Sequence, residues 1–156
     1  MSAVLIGFAV FQNAWRRGVQ NNPAHDAPIS YVSVSDGKVI GVTTISPDGK
    51  FAAYIQNYND DEGGTIFIRQ LETNREMRLL EPDERTFGNI DFSPDSSLIY
   101  YVSFEKNSKI GAIYSISILG GTPKRLFNLD SSSAVFAVSP DNKQIAFYRN
   151  NRPLAK

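Results

Sequence analysis

The chain has no cysteine and one histidine, His25, among its 156 residues. Without thiols it can build neither a disulfide framework nor a thiolate metal site, and this fits a reducing or an oxidising compartment equally. His25 sits in a proline-flanked stretch with no second histidine or cysteine near it, so it reads as a solvated side chain rather than a metal ligand. There is no charge excess either: 16 basic residues balance 16 acidic ones. That removes any global electrostatic ground for nucleic-acid binding. Long hydrophobic runs are also scarce. Ser2 to Phe11 is apolar apart from Ser2, and Gln12, Asn13 and then Trp15-Arg16-Arg17 follow. The run falls short of the roughly 20 apolar residues that span a bilayer. It also lacks the basic leading region and small-residue cleavage site of a signal peptide. Three readings stay open for residues 1–17: the end of a truncated membrane helix, an interfacial helix anchored by Trp15 and the two arginines, or an ordinary amphipathic helix. Residues 18–28, with Pro23 and Pro28, read as a polar linker.

What the chain does contain is one tripeptide three times: Ser46-Pro47-Asp48, Ser93-Pro94-Asp95 and Ser139-Pro140-Asp141, at intervals of 47 and 46 residues. A period in the 40s with strand signals on both sides of the repeat points to a β-propeller, each repeat being one four-stranded blade. The expected fold is therefore all-β. Residues 29–156 would form a partial propeller, with blades at about 41–81 and 87–129 and an incomplete one at 134–156. Alternation and β-branched or aromatic enrichment place inner strands at Val42 to Ser46, Ile90 to Ser93 and Val135 to Ser139. Second strands are expected at Phe51 to Gln56, Leu98 to Phe104 and Gln144 to Arg149. Third strands follow at Thr65 to Gln70 and Gly111 to Ile118, and outer strands at Arg75 to Leu80 and Pro123 to Leu129.

Proline fixes φ for the second position of a type I turn, aspartate favours the turn, and a left-handed fourth residue closes it. Gly49 suits that fourth position best, Asn142 tolerates it, and Ser96 suits it least. Gly120-Gly121 reads as a hairpin loop by the same logic. Ser and Asp could instead be a nucleophile and its acid partner, but a triad needs a positioned base, and a motif repeated once per blade reads as a turn.

Other candidates weaken on inspection. Asp60-Asp61-Glu62-Gly63-Gly64 offers hard oxygens for calcium but lacks EF-hand spacing, so a solvated loop is the simpler reading. Neither Gly63-Gly64 nor Gly120-Gly121 carries the lysine of a phosphate-binding loop. Tyr100, Tyr101, Phe104 and Tyr114 could form a stacking surface, yet alternation puts Tyr100 and Tyr101 on opposite faces of one strand, which favours core between blades. Lys124-Arg125 reads as the solvated edge of an outer strand. No catalytic residue, cofactor or metal ligand is expected. Asp83 to Phe87, including Arg85, and Ser131 to Ser133, including Ser132, precede inner strands, and there they would line one rim of the propeller and meet a protein or small ligand.

ISPDGKFAAYI, FSPDSSLIYYVS and VSPDNKQIAFYRN resemble the WD-repeat-like propeller repeats of TolB-type proteins. TIFIRQLETN, IGAIYSISILGGTPKRLF and ISYVSVSDGKVIGVTTISPDGK bring the likeness nearer to propellers that follow a kinase or winged-helix domain in membrane-tethered bacterial signalling proteins. The resemblance covers about Ile29 to Asn151 and implies a fold more than a function, since such propellers also serve peptidases and envelope proteins. It implies a non-catalytic binding or sensing segment and carries no catalytic residue with it. The propeller would be extracytoplasmic behind an N-terminal anchor, with a cytoplasmic location as the alternative. A ring typically has 4–8 blades. The chain therefore reads as a fragment of a larger protein, with Ile29 to Val34 as the outer strand of the ring's last blade and open blade edges that favour self-association.

Overall fold

The computed structural model describes Ser33 and residues 40–57, 63–106, 108, 111–129 and 135–147. All of them lie in the second of two units of the chain, Val32–Lys156. The apolar helix at 1–17, the linker at 18–28 with His25, the acidic run at 60–62, and Ser131 and Ser132 lie outside the described residues. Of the strand expected at Ile29 to Val34 only Ser33 is described, its carbonyl accepting a bond from Arg69 Nη1 at 3.5 Å.

The described residues are all-β. β1 (Ile40–Ile45), β2 (Phe51–Asn57), β3 (Gly64–Gln70) and β4 (Arg75–Arg78) form one antiparallel sheet in chain order. β5 (Thr86–Phe92), β6 (Leu98–Phe104), β7 (Gly111–Ser117) and β8 (Lys124–Leu129) form a second of the same topology. β9 (Phe136–Val138) and β10 (Ile145–Phe147) pair as the start of a third. This is the partial β-propeller, two four-stranded blades and the inner pair of the next.

Strand alternation decides the sheet-to-sheet contacts. Ala53, Ile55, Ile66 and Ile68 of the first sheet meet Ile90, Phe92, Ile99 and Tyr101 of the second in one cluster. The opposite face of the second sheet supplies Tyr100, Val102 and Ile113 to another cluster with Phe136 of β9. Tyr100 and Tyr101 thus serve different seams, as period-two geometry requires. Each blade also carries an in-register aromatic pair across its second and third strands. Tyr54 and Phe67 stack at 5.5 Å, and Tyr101 and Tyr114 at 5.4 Å.

β1 and β5 begin earlier than the pattern suggests, at Ile40 and Thr86. In both, the register slips across a glycine, Gly41 between Ile40 and Thr43 and Gly88 between Phe87 and Ile90. A glycine inside a strand commonly marks a bulge, and here the bulge lets pairing resume toward the rim. β4 ends at Arg78, although the buried Leu79 still donates its N–H to the Ile66 carbonyl at 2.8 Å.

Candidate functional site

The three Ser-Pro-Asp segments share one hydrogen-bond scheme. The serine hydroxyl donates to the aspartate Oδ1 two residues on, at 2.6 Å for Ser46, 2.5 Å for Ser93 and 2.6 Å for Ser139. Its lone pair accepts the backbone N–H of Phe51, Leu98 or Gln144, each at 2.9 Å. The residue after each aspartate closes the turn onto the serine carbonyl at 2.8 Å. These hydrogen bonds hold the carboxyls of Asp48, Asp95 and Asp141 below the usual aspartate range, the serine hydroxyl contributing most. Hydroxyl and carboxylate are both spent on the turn, and among the described residues each serine hydroxyl donates to its own aspartate rather than to a histidine or lysine. A nucleophile would need that proton removed.

The fourth turn position is left-handed in all three blades: Gly49 at φ 70°, Ser96 at 61° and Asn142 at 58°. The two non-glycine residues use their side chains across a seam. Ser96 Oγ accepts the backbone N–H of Asp48 at 3.3 Å, and Asn142 Oδ1 accepts the hydroxyl of Tyr100 at 2.9 Å. Each strained residue therefore clamps the preceding blade, which gives Ser96 a reason to occupy a position glycine would fill more easily. Ser96→Ala should destabilise the chain by about 1 kcal/mol, because it keeps the strain and loses the acceptor. Ser96→Gly should stay within about 0.5 kcal/mol of the parent, since relief of about 1 kcal/mol of left-handed strain offsets the lost bond. Urea denaturation of the two variants checks this, and an alanine variant as stable as the parent would show that the clamp contributes nothing.

The opposite end of the sheets carries the charged rim. Asp83 accepts the Arg85 backbone N–H at 2.8 Å, and its other oxygen pairs with Arg85 Nε at 2.8 Å. Lys106 reaches Glu84 at 3.7 Å. Gly64 forms an isolated bridge with Asp83, tying the second-to-third-strand loop of the first blade to the segment entering the second. Asp83 and Arg85 lie at this rim, whereas Phe87 lies within β5 and its ring tilts against buried Tyr101 at 5.8 Å. Burial raises the Tyr101 phenol above its ordinary pKa, with Arg85 opposing the shift.

Two recesses flank the second blade. One, of about 490 Å³, runs along its seam with the third blade between Leu98, Tyr100, Ser117, Lys124 and Gln144. The other, of about 20 Å³, lies beside the charged rim, between Arg85, Ser103, Glu105, Ala112, Tyr114 and Arg125. Ser103 and Glu105 carry no motif, and Arg125 has the look of a solvated edge, so sequence reasoning does not unite these residues. Among the described residues no group of three or more His, Asp or Glu side chains is placed to hold a metal ion, and no helix is long and apolar enough to cross a membrane.

No family model matches the chain, and no curated protein matches it. Solved structures do. A TolB candidate from Agrobacterium tumefaciens superposes with a TM-score of 0.63 at 21% identity over 76% of this chain and 42% of its own. TolB from Acinetobacter baumannii gives 0.55 at 25% identity over 74% of this chain and 27% of its own. The β-propeller domain of the Trilobed protease from Pyrococcus furiosus gives 0.55 at 16% identity over 69% and 33%. The chain thus spans less than half the length of each of these proteins, and the likeness is one of fold.

Proposed function

We propose that this chain is a non-catalytic β-propeller segment that presents its charged rim to a protein or small ligand, as the binding or sensing part of a larger protein. The observation that carries this reading is the division of labour between the two ends of the sheets. At one end the hydroxyls and carboxylates of the repeated tripeptide are consumed in turn geometry. At the other, Asp83, Glu84, Arg85 and Lys106 stand exposed or half-exposed on loops held by a rigid frame, the usual placement of binding residues. The sequence resemblance supports a membrane-tethered bacterial signalling protein with a kinase or winged-helix domain as the parent, with the propeller extracytoplasmic.

The likeness to a protease propeller domain favours a second reading, a gating propeller beside a serine peptidase domain. In-cell cross-linking of the chain, alone and as Arg85→Glu/Lys106→Glu, tests the rim. One defined partner should be lost in that variant and kept in Lys50→Glu/Lys143→Glu at the turn end. Loss in the turn-end variant alone would overturn the rim assignment. Flanking coding sequence separates the parents: a Gly-x-Ser-x-Gly elbow downstream speaks for the peptidase, and a His-Arg-Asp loop upstream for the kinase.

A further inference from the structure

Ser103 is 4% exposed, and its hydroxyl is the one buried side-chain polar atom among the described residues with no hydrogen-bond partner. A buried hydroxyl left unsatisfied costs about 1–3 kcal/mol, so a group in this position calls for a ligand. It lines the rim recess of about 20 Å³, whose walls come from the second blade and the segment entering it. We propose that this recess is a binding site for a single internal water molecule, which bridges the Ser103 hydroxyl to the polar groups around it and fastens the rim end of the second blade.

Comparison of the two blades explains why the space exists. Ser103 lies in register with Ala112. The equivalent pair 47 residues earlier is Gln56 and Thr65, also in register and also buried. There the longer glutamine is buried and the threonine hydroxyl donates to the Leu80 carbonyl. In the second blade both residues are shorter, and alanine has no hydroxyl to give. The lost atoms leave a polar hole rather than an apolar one.

Size and charge select the guest. One water needs about 10–15 Å³ of such space and two or more polar partners; the recess has the volume, and Ser103, Glu105 and two arginines line it. Arg85, Arg125 and Glu105 all line it and make its walls mixed in sign. An anion would meet Glu105, a cation would meet two guanidinium groups, and neither would gain over its hydration shell. Water both donates and accepts, so it suits Ser103, Glu105 and the arginines together.

Water-selective NOE and ROE spectra of the chain test this. Cross-peaks of a long-lived water should appear at the Ser103 and Ala112 amides. They should vanish in Ser103→Gln/Ala112→Thr, which restores the first-blade pairing, while amide dispersion stays native. If that variant fails to fold, Ser103→Ala should weaken the Ala112 cross-peak and leave the rest of the spectrum in place. Absence of the cross-peaks in the parent chain, or their persistence unchanged in the filled or alanine variant, would overturn the site. A saturable shift of the same amides with sodium chloride would also overturn it, by assigning the recess to an ion.

Discussion

Tyr101→Ala should be the most damaging single substitution within the second blade, costing about 3–5 kcal/mol, the range seen when a buried aromatic is truncated. Tyr101 is 1% exposed, stacks on Tyr114 and tilts against Phe87. It also belongs to the cluster joining the first two sheets. Its removal therefore opens a cavity at a seam rather than within one sheet, where strand pairing could draw the walls together. Domains of this size have total stabilities of about 5–15 kcal/mol, so the variant should stand near the edge of folding. Tyr101→Phe keeps the ring and should cost less than about 1.5 kcal/mol. Urea titrations with a common m-value measure both, and an alanine variant within 1 kcal/mol of the parent, by the same scale, would mean the two blades do not share this core.

Strands buried on both faces were the most legible. β6 spans Leu98–Phe104 as alternation indicates, and β2, β3 and β7 differ from the expected spans by one residue. In these strands, pattern and burial point the same way. The opposed destinations of Tyr100 and Tyr101 follow from the same period. Legibility fails where a feature depends on a neighbour in space. Gly41 and Gly88 mark bulges whose effect is to lengthen the inner strands toward the rim, and only the register reveals that. Ser96 looks like a poor turn residue until the bond from the Asp48 amide is seen. The Ser103 recess is a difference between two blades, Gln56 and Thr65 against Ser103 and Ala112, so no single stretch announces it.

Gly63→Ala is the second large effect expected, and it acts through the backbone. Gly63 has φ of 70°, and a Cβ there would lie 1.7 Å from the carbonyl oxygen of Asp83 and 2.7 Å from its carbon. Those atoms belong to main chain held by the Gly64–Asp83 bridge, so no side-chain rotation can relieve the contact. Gly49 supplies the control, with the same φ of 70° and nothing within 4 Å of its would-be Cβ. Gly49→Ala should report left-handed strain alone, about 1 kcal/mol. Gly63→Ala should cost about 2–4 kcal/mol, because the rim segment must also move and the bridge must break. The excess of one over the other isolates the steric part. Because Asp83 is tied to Arg85, that displacement should reach the charged rim and perturb the Asp83 and Arg85 amide resonances, while Gly49→Ala leaves them in place. Equal costs for the two substitutions, with an undisturbed rim, would mean that Asp83 does not press against Gly63 in solution.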